Sequence, residues 1–202
     1  MKKIVFAALA AFVFALGMNA QSYMSLMEFP NPVLPGRIFL KDGTVKEFDR
    51  VLVPANYQTR INILQEDDTK AFFYATNVAK LEIWNEEAPD QVYTLCYCAA
   101  NIPHIGSVWA ILDYDGEYAC TYNMAESYNV NNAGRLVYIH EPGESNTIIF
   151  YNKHTDQYIA NYNFKKLAKF FGDDAQLSAE IMEKKMGGGS GKHIVETYKP
   201  KK

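Results

Sequence analysis

The sequence has little of what usually betrays a function. It holds three cysteines among 202 residues, Cys96, Cys98 and Cys120, too few and too odd in number to be a disulfide framework. At most one internal bridge can form. The His-Glu-x-x-His and Gly-x-Ser-x-Gly patterns are absent, and no cysteine sits in a recognisable nucleophile context, so nothing points to zinc-protease, serine-hydrolase or thiol chemistry. Basic excess is missing too. The 20 Lys and Arg are outnumbered by 23 Asp and Glu and interspersed with them, which argues against a nucleic-acid partner. No cofactor is implied. The one glycine-rich run, Gly187-Gly-Gly-Ser-Gly-Lys192, is followed by His193 and lies after a helical pattern, whereas a phosphate loop follows a strand and puts Ser or Thr after its lysine. It reads as a flexible linker.

Long apolar runs are absent beyond the start, where Ile4 to Leu16 follows Lys2 and Lys3 and leads to Gly17 to Ala20. That order predicts a secretory signal over residues 1–20 with the cut before Gln21. The run is shorter than the ~20 residues a membrane span needs. No cysteine closes it, so no lipid anchor is expected. The remaining 182 residues, with 18 basic and 23 acidic side chains and a net charge of −5, are expected in the periplasm or outside the cell, without stable membrane insertion.

What the chain does have is aromatic residues, 14 Tyr and 12 Phe, the mark of a folded, β-rich body. Pro30, Pro32 and Pro35 make residues 21–35 an extended lead-in. Arg37 to Lys41, the Asp42-Gly43 turn and Thr44 to Val53 read as a hairpin. Runs over 60–65, 70–74 and 81–84, with a single turn over 76–79, complete a hairpin-rich unit at 36–84, a small barrel or a strongly bent sheet. Strands follow near 91–98, 107–113, 117–124, 135–140, 147–152 and 156–161, punctuated by Asp115-Gly116 and Pro142-Gly143. Asn85 to Asp90 is the boundary between halves if there is one.

Helical spacing begins at Asn163. Phe164, Leu167, Ala168 and Phe171 share one face, predicting a helix over 163–171. A second is expected over 174–186, capped by Asp173 and stopped by Gly187. His193 to Tyr198 reads as a last strand returning to the sheet, and 199–202 as a frayed tail. The expected class is α+β: mostly antiparallel β-sheet, with two C-terminal helices packed on the sheet of the second unit, 91–198.

Several residue sets are candidates for chemistry. Cys96 and Cys98 are two apart and share a strand face, and Cys120 lies in the neighbouring run, so a Cys98–Cys120 bridge is conceivable if the Cα atoms lie within ~7 Å. The alternative is three buried, free thiols. An enzyme with an unfamiliar site would gather Cys96, Cys98, Cys120 and His140. Metal binding lacks support, because His104, His140, His154 and His193 are scattered and Cys-x-Cys is too tight for zinc. Asp113-Tyr-Asp115-Gly-Glu117 lacks the closing glutamate of a calcium loop and reads as a hairpin turn. Tyrosines crowd the second half. Tyr114, Tyr118, Tyr122, Tyr128 and Tyr138 are the candidate binding residues, since tyrosine joins apolar area to a polar tip.

Four segments, Gly36-Arg-Ile-Phe-Leu-Lys-Asp-Gly43, Asn77-Val-Ala-Lys-Leu-Glu-Ile83, Asn163-Phe-Lys-Lys-Leu-Ala-Lys-Phe-Phe171 and Ile194-Val-Glu-Thr-Tyr198, together resemble a group of exported Bacteroidota proteins of unknown function. The resemblance implies an envelope or secreted location and brings no activity. The first segment also resembles the hairpin of SH3-like and Sm-like small barrels, a likeness of fold alone. The expected role is non-catalytic binding of a protein or glycan of the cell envelope.

Overall fold

The computed structural model describes residues 33–54, 58–66, 70–102, 105–123, 126–129, 136–139, 148–161 and 163–201. The segment expected to be a secretory signal, most of the expected lead-in at 21–35, part of the turn expected at 66–68, the turn expected at Pro142-Gly143, His104 and His140 lie outside them.

Ten strands form one sheet in the order β12-β11-β8-β7-β6-β5-β1-β2-β3-β4. They are β1 Val33–Leu40, β2 Val45–Leu52, β3 Arg60–Leu64, β4 Lys70–Tyr74, β5 Val78–Asn85, β6 Ala88–Ile102, β7 Ile105–Asp115, β8 Ala119–Asn123, β11 Ile148–Asn152 and β12 Gln157–Asn161. Every neighbouring pair is antiparallel. A separate two-stranded ladder joins β9 Glu126–Asn129 to β10 Leu136–Ile139.

The turns that set this register are local chemistry. Gly43 has φ +87°, closed to most side chains, and the Asp42 carboxylate accepts from the N–H of Thr44 at 2.8 Å. The β1–β2 hairpin follows as the sequence predicts. Asp115-Gly116 likewise turns β7 into β8, with the Gly116 N–H donating to the Ala119 carbonyl at 2.9 Å. The acidic segment at 85–90 is no break in the sheet, because β5 pairs directly with β6 across it.

The expected SH3-like or Sm-like barrel does not form. The sheet is open among the described residues, with β4 and β12 at its two ends. It bends instead, and in opposite senses in its two halves. Side chains alternate across a strand, so β6 and β7 serve two cores at once. Leu95 and Trp109 face a core with Ile38, Val51, Ile61 and Leu81. The Trp109 indole N–H donates to the carbonyl of Gln58 at 2.8 Å, tying β7 to the chain just ahead of β3. Cys96, Cys98, Val108 and Ala110 face the other way, into a core with Cys120, Tyr122 and Ile149. There β12 curls back towards β6 without a ladder between them. The outer face of the first half is charged, with Arg37 between Glu47 at 3.1 Å and Glu82 at 3.7 Å.

Three helices cover β8 and β11: α1 Phe164–Phe170, α2 Ala175–Lys184 and α3 Gly191–Thr197. Asn163 caps α1 by accepting from the Lys166 N–H at 2.8 Å. Asp174, not Asp173, caps α2, accepting from the Leu177 N–H at 3.0 Å. Asp173 instead takes the hydroxyl of Tyr198 at 2.6 Å.

Two expectations fail at the C-terminus. His193 to Tyr198 is helical, because Ile194, Val195 and Tyr198 occupy one helical face and bury it against Ala119 and Phe150. The glycine run is no loose linker. A Cβ on Gly188 would come within 3.1 Å of Ile148, and one on Gly191 within 3.1 Å of Thr121, so these glycines let the backbone lie against the sheet.

Candidate functional site

The register gathers the three cysteines on one interior face. Cys96 and Cys98 oppose Ala110 and Val108 on β7, while Cys120 opposes Asp115 on β7 and Tyr151 on β11. The Cys98–Cys120 bridge is not formed: all three thiols are free and buried. Tyrosines fill the space around them. Tyr122 and Tyr158 pack with Cys96, Cys98 and Cys120, and the Tyr151 and Tyr158 rings stack with centroids 4.3 Å apart.

At the rim, the Cys120 thiol donates to Asp115 Oδ1 at 2.9 Å, and Lys153 Nζ donates to the same oxygen at 2.7 Å. A thiol, carboxylate and amine in contact resemble catalytic machinery, yet the proton sits on the wrong partner. Burial and the bond to Asp115 push the Cys120 thiol up to about 12. Burial raises Cys96 and Cys98 as well. The nucleophilic form of cysteine is the thiolate, and burial disfavours it at all three positions. Asp115 is held below its usual value even though burial opposes its charge, because Cys120 and Lys153 both donate to it.

No group of three or more metal-ligating side chains converges among the described residues. Hollows of about 400 and 540 Å3 lie beside the helices, one lined by Gln157, Lys166 and Lys169, the other by Asp174, Lys199 and Lys201. Neither touches a cysteine.

Iodoacetamide at neutral pH is therefore expected to leave the folded chain unmodified while the unfolded chain takes three adducts, read by intact mass. Labelling of the native chain should quicken only as pH climbs towards the thiol values. One fast adduct on the native chain near pH 7 would show an activated thiol.

The five candidate tyrosines do not share a surface. Tyr122 is buried beside Cys96, Tyr118 packs partly into the helical core, and Tyr114 is exposed. Tyr128 and Tyr138 sit at adjacent register positions of the β9–β10 ladder, opposite Val137 and Ser127, and their side chains lie outside the described residues.

An aromatic surface exists elsewhere. On β4, Phe72 is 45 % and Tyr74 47 % exposed. Their rings meet edge to face, centroids 5.2 Å apart. Arg60, opposite Tyr74 in the β3–β4 register, lays its guanidinium 4.6 Å from the Phe72 ring centre and 5.2 Å from that of Tyr74. A sequence signal was available: Lys70-Ala-Phe-Phe-Tyr74 puts aromatics on both faces of a short strand, one face more than a buried core uses.

No family model, curated protein or solved structure matches this chain. Among the described residues, no helix is long and apolar enough to cross a membrane.

Proposed function

We propose that this chain is an exported, non-catalytic binding protein of the cell envelope, acting in the periplasm or outside the cell on a protein or glycan partner. The observation that carries the reading is the solvent-facing cluster of Phe72, Tyr74 and Arg60, large side chains of the types that dominate recognition surfaces. Against it stands an enzyme built around Cys96, Cys98, Cys120 and His140. The three thiols are buried and raised in pKa, and His140 lies outside the described residues. The resemblance to exported Bacteroidota proteins supports the location and assigns no activity.

Two measurements test the proposal. Intact-mass analysis of the chain exported by its native host should show the loss of about twenty residues; a full-length mass in that fraction would refute export by a cleaved signal. A pull-down from the native envelope, with residues 21–202 as bait, should capture a discrete partner. An empty pull-down together with turnover of an envelope substrate would favour the enzyme.

A further inference from the structure

Strand β4 ends the sheet, and among the described residues nothing pairs with its outer side. Such an edge offers a row of backbone N–H and C=O groups to any extended chain. Natural edges are commonly blunted with charge or proline, but β4 projects Phe72 and Tyr74 into solvent. Arg60 springs from β3, one strand further in. Directly opposite Tyr74 in the register, it lays its guanidinium 4.6 and 5.2 Å from the two ring centres, so the cation sits with both rings on the strand that ends the sheet. Among the described residues no carboxylate pairs with it.

We infer that the β4 edge, with Phe72, Tyr74 and Arg60, is a strand-addition site for an extended acidic peptide segment of a partner protein. The inference rests on the binding reading above and adds the surface and the chemistry of the partner. An added strand would satisfy the open main-chain groups, and every second side chain would fall on the outer face beside the rings. A carboxylate there would meet a planar cation already held over two aromatic faces. A second copy of this chain fits less well. Lys70-Ala-Phe-Phe-Tyr74 contains a lysine and no acid, so pairing two β4 strands would bring the cations of both chains together. A neutral sugar would use the rings and leave both the cation and the backbone unmatched.

The test uses residues 21–202 and a capped peptide of about ten alternating valine and glutamate residues, long enough to cover one strand. Saturable binding is expected by fluorescence anisotropy. It should weaken about tenfold or more with Arg60→Glu, with Phe72→Ala, with a valine–lysine peptide, and with a valine–glutamate peptide N-methylated at every second residue. An unchanged melting temperature certifies that each variant folds. Absent binding, or equal binding of the N-methylated or lysine peptides, overturns strand addition. An oligouronate that binds through Arg60 while the peptide does not would identify an acidic glycan site instead. A concentration-dependent dimer lost on Phe72→Glu would identify self-pairing. If the peptide fails and the envelope pull-down still captures its partner equally with native chain and Arg60→Glu, this edge is refuted and the broader reading stands.

Discussion

Replacing Phe171 by Ala is expected to destabilise the folded chain by about 3–5 kcal/mol. Phe171 follows α1 and is fully buried. Its ring sits edge-on to Phe150 of β11 at 5.7 Å, to Phe170 at 4.9 Å and to Tyr198 beyond α3 at 4.8 Å. Its ring thus touches both the sheet and the helical cap. Aromatic pairs in this geometry contribute beyond the area they bury, and Tyr198 is fastened by its hydroxyl to Asp173, so the surroundings have little freedom to collapse into the space left. Urea unfolding of Phe171→Ala should show a lower midpoint. Phe72→Ala, removing an equal ring from an exposed position, should cost under about 1 kcal/mol. A Phe171 variant as stable as the native chain would show the helices to be only loosely attached.

The helical spacing of Phe164, Leu167, Ala168 and Phe171 makes α1 legible in the sequence, because a 3.6-residue period is a property of neighbouring residues alone. Asp42-Gly43 is legible for the same reason: a positive φ and a side chain reaching its own backbone need no distant partner. Cys96 and Cys98 share a face, as a two-residue period requires. Most strands fall within a few residues of their expected positions.

What could not be read depends on which distant surface a segment meets. Ile194, Val195 and Thr197 favour strands by propensity, yet the sheet at α3 offers no open ladder and Val195 packs closely over Gly116. A helix buries those side chains there, and burial outweighs a propensity range of roughly 1 kcal/mol. Tyr122 was a surface candidate by composition. It turns inward because it shares parity with Cys120, and the curl of β12 makes that face an interior. The surplus aromatics of β4 are legible in the sequence, but their union with Arg60 is not, because only the β3–β4 register sets the arginine opposite Tyr74. The barrel expectation failed at the same level. Short strands in quick succession predict strong bending, but closure needs a hydrogen-bonded partner for β4, and the described residues supply none.

The bend of the first half makes a second large effect testable at Trp109. Trp109→Ala is expected to cost about 3–5 kcal/mol, since the ring is buried against Tyr97 with centroids 5.3 Å apart and borders the core of Ile61 and Leu81. Its indole N–H also holds the Gln58 carbonyl at 2.8 Å, a contact that spans the curled face from β7 to the entrance of β3. Trp109→Phe separates the two contributions. It keeps much of the apolar area and leaves that carbonyl without its donor, a loss of about 1–3 kcal/mol if no water replaces it. Hydrogen exchange adds a spatial readout: in Trp109→Phe the amides of β3 and β4 should lose protection while those of β8 and β11, on the other side of the sheet, keep theirs. Equal loss in both regions would mean that the sheet opens as one unit. A Trp109→Ala chain within about 1 kcal/mol of the native one would mean that the aliphatic side chains of β1, β2 and β5 hold the curl without it.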